Sequence, residues 1–296
     1  MYIILLSNIF SVLYSFFIFV LLFCSNFQKY SMFKLKHLTI FLFLILGSHS
    51  TFSQLGFSHE IGVIVGPVQF RSDYGVRASE QTNIGNSGYG IGLIHYINFS
   101  YRADCNCYST DTYFNDHFKL RSEISYNKTK LSHFGQWVDS EGPNGDLKNH
   151  TGEANNFDIG MQLEYFPLSI RSFQGFAYRV APFFSLGTHY TSYNPRAYRN
   201  EVRLNNPTTF PIDPRTGSPY WGWQEGSINP ESGSTWSVVT SVGARYKLTP
   251  LSDLMIDLRW QYYFSDWIDG LNHQLDSNKH NDWLVWLNFG YIYYLD

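Results

Sequence analysis

The feature that most constrains this chain is a two-residue alternation of apolar and polar side chains that returns along most of its length. In the clearest segment, 118–128, apolar Leu120 and Ile124 alternate with Arg121 and Glu123. Successive side chains of a β-strand point to opposite faces of the sheet, so this pattern predicts a strand with one apolar and one charged face. Strong alternation also marks segments 156–165, 236–248, 254–265 and 283–295, and weaker alternation marks 57–65, 89–99 and 180–193.

The length of these segments indicates a membrane setting. A tilted strand needs about ten residues to cross a bilayer, whereas strands of soluble proteins average nearer five or six residues. Lipid offers no hydrogen-bond partner to an open sheet edge, so strands in a membrane close into a ring. Aromatic residues make up 19% of the chain and charged residues 15%, which is typical of a lipid-facing wall with aromatic belts.

We therefore predict an all-β fold after residue 54: a transmembrane antiparallel up-and-down β-barrel of about eight strands. Two alternatives stay open. Pro182 interrupts the segment 180–193 and could divide it, which would give ten strands. Alternation alone also fits a secreted β-sandwich, which the segment lengths and the aromatic content disfavour.

Connection lengths predict the orientation of the barrel, because outer-membrane barrels have long loops outside and short turns in the periplasm. The connection 101–117 is long for an inner turn and departs from this pattern. With the first strand starting in the periplasm, the long extracellular loops fall at 67–87, 130–154, 194–234 and 266–282, and the inner turns at 166–179 and 249–253.

The first part of the chain predicts export. Residues 32–53 combine Lys34 and Lys36, an apolar core of about ten residues, and small side chains before Gln54, which together are typical of a cleaved signal peptide. The barrel domain then covers 54–296, and the predicted location is the outer membrane. Residues 1–31 contain a second apolar run, which we interpret as an over-extended gene start before Met32 or as an apolar anchor.

Charge and motifs narrow the possible functions. With 21 basic and 24 acidic residues, the chain has no basic stripe to neutralise phosphates, so we expect no nucleic-acid partner. Gly-rich residues 85–92 lead into a strand rather than a helix, and the sequence has none of the common hydrolase or metalloprotease motifs. We therefore predict no enzyme, catalytic residue, cofactor or metal. An outer-membrane lipid or protein hydrolase is the alternative, with Ser132, His133, His189 and His273 available.

The polar faces of the predicted strands carry charged side chains that a barrel would bring into its lumen. An eight-stranded barrel is only wide enough for side chains to fill it. We therefore predict a plug of salt bridges that compensates buried charge and passes little solute, rather than a catalytic site or a conduction path. The predicted lumenal charges are Glu60, Lys119, Arg121, Glu123, Asp158, Glu164, Arg245, Lys247, Asp257 and Arg259.

The loops contain two groups of candidate binding residues. Tyr220, Trp221 and Trp223 bring three large aromatic side chains together, which could stack on sugars or anchor a protein partner. They could equally fold back on their own loop or lie at the level of the lipid headgroups. Four loop acids could bind calcium, but their spacing matches no calcium loop, so we interpret them as solvated. They are Asp266, Asp269, Asp276 and Asp282.

Cys105 and Cys107 form a Cys-x-Cys pair in the connection 101–117. A disulfide between them would be strained, and a metal site would need further ligands. Because an exported protein meets an oxidising environment, a disulfide to a partner and a redox pair stay open as functional interpretations.

Two stretches resemble a known family. The tail contains Tyr262-Tyr263-Phe264-Ser265-Asp266-Trp267-Ile268-Asp269-Gly270, then Asp282-Trp283-Leu284 and Gly290-Tyr291-Ile292-Tyr293-Tyr294-Leu295. It is similar to the last hairpin of small outer-membrane barrels of the Bacteroidota, including those associated with gliding and type IX secretion. The segment Phe118-Lys119-Leu120-Arg121-Ser122-Glu123-Ile124-Ser125-Tyr126 resembles their third strand.

The predicted signal peptide, the eight alternating segments, the filled lumen and the long outer loops together predict a structural or docking barrel that contacts membrane lipid. The resemblance implies that its envelope partners belong to secretion or gliding machinery. The Cys-Asn-Cys connection and the loop 194–234 depart from the secretion-associated members, which puts a shared partner in doubt. A small transporter or ligand-binding barrel is a further alternative.

Overall fold

Strands dominate the part of the chain that the computed structural model describes, which is residues 57–76, 79–100, 113–135, 138, 147–208, 223, 226–275 and 280–295. The predicted signal peptide and residues 1–31 lie outside it. The strands are β1 (Ser58–Arg71), β2 (Ser87–Asn98), β3 (Phe118–Ser132), β4 (His150–Tyr165), β5 (Val180–Tyr193), β6 (Arg196–Arg199), β7 (Val202–Arg203), β8 (Gly233–Thr249), β9 (Ser252–Tyr263) and β10 (Trp283–Tyr294). Three short helices are α1 (Glu80–Asn83), α2 (Tyr113–His117) and α3 (Ile170–Gln174).

Eight of these strands form one closed antiparallel ring. Its order is β1-β2-β3-β4-β5-β8-β9-β10, and β10 pairs back onto β1 with Val63 opposite Tyr291. Each strand is therefore hydrogen-bonded on both sides, and each neighbour in the ring is also the next long strand along the chain. The predicted up-and-down barrel of eight strands is confirmed. The alternative sandwich is wrong, because a sandwich has two separate sheets.

The fifth strand runs without a break over Val180–Tyr193, so the alternative of ten barrel strands is also wrong. Pro182 is tolerated because of where it lies. The pairing of β5 with β4 begins only at Phe184, opposite Tyr165, so the missing N–H of Pro182 falls where β8 is the single neighbour.

Two short strands extend the sheet beyond the ring. β6 keeps the register of β5 against β4, since Tyr193 lies opposite Asn156 and Arg196 opposite Glu153. β6 and β7 are joined by Asn200 and Glu201, whose φ values of 49° and 65° match the two-residue turn that suits a hairpin. We call the sheet formed by 128–132 of β3, 150–155 of β4, β6 and β7 the shelf.

The strand connections differ in length at the two ends of the barrel. Residues 250–251 and 166–179 connect strands at one end, here the short-turn end, together with the longer connection 99–117. The strand ends that are joined by residues 72–86, 133–149, 194–232 and 264–282 lie at the opposite, long-loop end, and the segment 194–232 includes β6 and β7. The shelf therefore lies at the long-loop end.

The two faces of the ring differ in chemistry, as the alternation predicts. On β1, Ile61, Val63 and Val65 point outward and are about half exposed, at 47–53%, whereas Glu60, which directly precedes Ile61, points to the inner side and is fully buried. The same pattern recurs on the other ring strands, so the outer wall is apolar and the interior largely polar. Among the described residues, no helix is both long and apolar enough to cross a bilayer.

Candidate functional site

All ten charged residues expected in the lumen point into the barrel. Each is at most 2% exposed: Glu60, Lys119, Arg121, Glu123, Asp158, Glu164, Arg245, Lys247, Asp257 and Arg259. Eight of them form one connected set of ion pairs, which we call the charge network. It contains four cations and four carboxylates, so its formal charges cancel: Lys119, Arg121, Arg245 and Arg259 with Glu60, Glu123, Glu164 and Asp257.

Glu60 on β1 lies at one side of the charge network. Its carboxylate accepts from Lys119 Nζ at 2.5 Å and from Arg245 Nη1 at 2.7 Å. Arg245 Nη2 also donates to Glu164 at 3.0 Å, and its guanidinium lies 4.0 Å from the ring centroid of Tyr96. The Tyr96 hydroxyl donates to Glu164 at 2.9 Å. These contacts tie together five strands, some of them on opposite sides of the ring.

Arg121 joins this side of the charge network to the other. Its Nη1 donates to Glu164 at 3.3 Å and to Asp257 at 3.2 Å, and its Nη2 lies 2.7 Å from Glu123. Arg259 then donates two parallel hydrogen bonds to Glu123, at 2.6 and 2.7 Å. Such bidentate pairs are among the strongest polar contacts. Removing one partner of a buried ion pair costs about 3–5 kcal/mol, because the other charge is left uncompensated.

Trp286 on β10 fills the space beside the network. Its ring lies 4.9 Å from the guanidinium of Arg259 and packs against Gly90 on β2. A Cβ at Gly90 would lie 2.4 Å from Cζ2 of Trp286, so the missing side chain of the glycine leaves the room that the indole occupies. An aromatic side chain thus packs directly against the ion pairs.

Asp158 and Lys247 lie outside the charge network. Asp158 accepts hydrogen bonds from neutral donors, among them Thr191 Oγ1 at 2.5 Å and Gln261 Nε2 at 2.8 Å. Lys247 Nζ lies 3.2 Å from Asp253. Sequence reasoning missed Asp253, because the strong alternation of its strand begins one residue later.

Aromatic side chains surround Lys247 at the short-turn end. Its Nζ lies 3.9 Å from the ring centroid of Tyr294 and 5.3 Å from that of Phe173. Phe173 and Ile170 belong to α3 and are each 1% exposed. The turn 166–179 thus contributes a short helix that packs two apolar side chains beneath the lumen.

The long-loop end holds a second buried cluster, which we call the histidine cap: Tyr74, His133, His150, Trp223 and His273. Nε2 of His133 lies 3.1 Å from Nδ1 of His150. Tyr74 stacks on His150 with centroids 5.1 Å apart, and Trp223 stacks on His273 at 5.4 Å. Burial, reinforced by His150 and His273, holds the pKa of His133 well below its usual range. His133 is therefore neutral at neutral pH.

Two of the loop acids anchor the loops around this cap. The carboxylate of Asp269 accepts the backbone N–H of Asp73 at 3.2 Å, and that of Asp282 accepts a backbone N–H of its own loop at 3.2 Å. Both are fully buried, so the interpretation as solvated acids is wrong for them. Buried carboxylates take backbone donors in place of water. Asp266 is half-buried, and Asp276 lies outside the described residues.

The structure separates the loop candidates. Trp223 is 4% exposed and packs in the histidine cap against His133, His150 and His273, which belong to other parts of the chain than its own loop. Its burial removes it from the exposed binding surface considered for the three aromatics. Tyr220, Trp221, Cys105 and Cys107 lie outside the described residues.

The side chains considered for a hydrolase lie in different places. His133 and His273 belong to the histidine cap, whereas His189 lies in the lumen, where its Nε2 is 3.1 Å from Nε2 of Gln162. Ser132 is half-buried on an outward position of β3. Over the described ranges, no set of three or more His, Cys, Asp or Glu side chains is arranged to hold a metal ion.

No protein-family model matches this sequence, and no curated protein matches it. Among solved structures, Neisserial surface protein A (NspA) is similar with a TM-score of 0.41 and 11% identity, over 79% of this chain and 96% of that chain. Ail, the attachment invasion locus protein of Yersinia pestis, has a TM-score of 0.37 and 11% identity, over 81% and 100%. The outer membrane protease OmpT of Escherichia coli has a TM-score of 0.34 and 7% identity, over 82% and 99%. Scores this low carry no information on role.

In the described part of the lumen, the charged side chains compensate one another. Each cation of the charge network lies within 4.0 Å of at least one carboxylate, and aromatic side chains cover the charges toward both ends. The histidine cap was not foreseen as a unit, because its members are far apart in the sequence and share no motif spacing.

Proposed function

We propose that this protein is an outer-membrane β-barrel with a structural or docking role, closed to the passage of solutes. The observation that carries the proposal is the combination of an apolar outer wall with a lumen filled by a charge-neutral network. A wall exposed to lipid needs an apolar outer surface. A pore would need a lumen open to water, whereas this lumen is filled by side chains.

The outer wall supports the membrane location. Outward aromatic side chains lie toward both ends of the ring, which matches the two belts of aromatic residues at lipid–water interfaces. Those toward the long-loop end include Tyr89, Tyr126, Tyr190, Trp236 and Tyr262, and those toward the short-turn end include Phe118, Tyr165, Tyr246, Tyr291 and Tyr293.

Docking is favoured by apolar side chains that project beyond the wall. Ile84, at the end of α1, and Val202, on the shelf, are each 67% exposed. Both lie at the long-loop end, outside the level of the aromatic belt. A protein partner that docked at this end of the barrel would remove these two apolar side chains from water, which is favourable. We assign the accessory role in secretion or gliding assemblies on the resemblance of the tail and of the third strand.

The closed lumen is tested on the protein expressed from Met32 and recovered from the outer-membrane fraction. We expect a folded band that changes mobility on boiling and resists carbonate extraction. In planar bilayers we expect no stepwise conductance, with a general porin reconstituted in parallel as the positive control. Discrete conductance steps that depend on this protein would overturn the closed-barrel proposal.

Docking is tested by a photo-crosslinking amino acid introduced at Ile84 or Val202 in cells. Leu186 is the matched control, because it is also apolar and highly exposed, at 63%, but lies within the membrane wall. We expect protein adducts from the first two positions and none from Leu186. Absence of protein adducts at both loop positions, or equal adducts at all three, would refute the docking role. Deleting the gene and finding secretion and gliding unchanged would refute the accessory role.

A further inference from the structure

We propose that the outward face of the shelf binds the phosphate group of an anionic lipid headgroup in the outer leaflet. The inference rests on the membrane location proposed above and adds a specific ligand class to it.

The strand register places four cations on this one face. Residues directly opposite each other in an antiparallel pair share a face, as do residues two apart along a strand. Lys130 lies opposite Glu153, which lies opposite Arg196 on β6. Lys128 is two residues before Lys130. Arg203 on β7 lies opposite Tyr198, two residues after Arg196, and therefore shares the same face.

The charges of this face do not balance. Glu153 is the single acidic residue among these outward positions, and it lies 3.0 Å from Lys128 Nζ and 3.6 Å from Arg196 Nη1. Within the described part of the chain, Lys130 and Arg203 make no ion pair. The face therefore has an excess of positive charge, in contrast to the neutral charge network inside the barrel.

The height of the cations relative to the wall identifies the ligand as a lipid. On β3 the outward positions run from Ile124 through Tyr126 to Lys128. Two residues at about 3.3 Å each separate Tyr126 from Lys128 along the strand. With a strand tilt of about 40°, the lysine lies roughly 5 Å beyond the aromatic belt. On the outer face of β4, exposed Phe157 is followed by Asn155 and then Glu153 in the direction of the long-loop end.

Acyl chains packed on the apolar part of these two strands would thus place their headgroups against the four cations. Cations at this height attract anionic headgroups. A soluble anion would gain the charge contact without the apolar wall beneath it.

The experiment uses the full mature protein in phosphatidylcholine nanodiscs with bisphosphorylated lipid A as the probe, and native mass spectrometry to measure bound probe. The variants are K128Q, K130Q, R196Q and R203Q, singly and together. We expect roughly fivefold weaker binding for each cation removed, and weaker binding of wild type at high salt. E153Q, which increases the positive charge, is expected to bind a few-fold more tightly. K148Q is the control, because Lys148 is exposed but lies off the shelf.

The boiling-dependent gel shift establishes that each variant is folded. If the quadruple variant is folded and binds lipid A as wild type does, or if dephosphorylated lipid A binds equally well, the shelf inference is overturned while the membrane location stands. If inorganic phosphate displaces the probe at equal concentration, the site recognises free phosphate and the lipid assignment is wrong. If the wild-type protein does not enter nanodiscs, the proposed function fails and the inference fails with it.

Discussion

Glu60 offers the sharpest test of the charge network. Its carboxylate is fully buried and accepts hydrogen bonds from both Lys119 and Arg245. Glu60→Gln keeps the size of the side chain but leaves the network with one uncompensated positive charge. We expect the free energy of unfolding to fall by about 3–5 kcal/mol, the usual cost of breaking a buried ion pair from one side. That is a hundredfold or larger change in the unfolding equilibrium constant.

The measurement is urea unfolding of the protein in lipid vesicles, with the folded fraction read from the gel shift. Glu153→Gln is the matched control, because Glu153 pairs with Lys128 on the outside of the barrel and is partly exposed. Surface pairs of this kind contribute at most about 1 kcal/mol. The double variant Glu60→Gln with Lys119→Met restores neutrality and is expected to recover part of the loss. Equal costs for Glu60→Gln and Glu153→Gln would refute the view that the lumen is a buried, paired network.

Three further predictions concern other parts of the molecule. Burial holds the pKa of His133 well below its usual range, so below about pH 6.5 only the unfolded chain takes up this proton. Stability should fall by about 1.4 kcal/mol per pH unit from there down to the folded-state pKa, seen as a shift in urea midpoint that His133→Gln reduces. Gly90→Ala should destabilise by about 1–3 kcal/mol in the same unfolding assay, because its Cβ would clash with Trp286. Glu201→Gly should stabilise the shelf hairpin by about 1 kcal/mol, because Glu201 has a positive φ of 65°, and hydrogen exchange at the Leu204 amide should slow.

Strand positions and faces could be predicted well from the sequence, because a two-residue period is a local property of the chain. The bounds 180–193 agree with those of β5, whereas β1 extends to Arg71, beyond the predicted 57–65. Gly66 and Pro67 interrupt the alternation there, although the pairing with β2 continues through both. β6 and β7 were missed because Pro195 separates them from the pattern of β5.

The sequence predicts which side chains point into the lumen, but it does not predict which of them form ion pairs with one another. Alternation indicates that Glu60 and Arg245 point inward, but it does not say that they meet, since that depends on the stagger of strands far apart in the chain. The histidine cap depends on loop conformations that bring His133 and His273 together, and loop paths follow no period. The burial of Asp269 was missed for the same reason.

The distribution of the charge network over the strands bears on how the barrel forms in a membrane. Glu60 lies on the first strand, whereas its partner Arg245 lies on β8, and Asp257 and Arg259 lie on β9. A partly assembled sheet that lacked the last three strands would hold carboxylates of β1, β3 and β4 without their full set of cations in a low-dielectric medium. Such an intermediate is disfavoured, so insertion and ring closure should proceed as a single cooperative event in which the last strands neutralise the first.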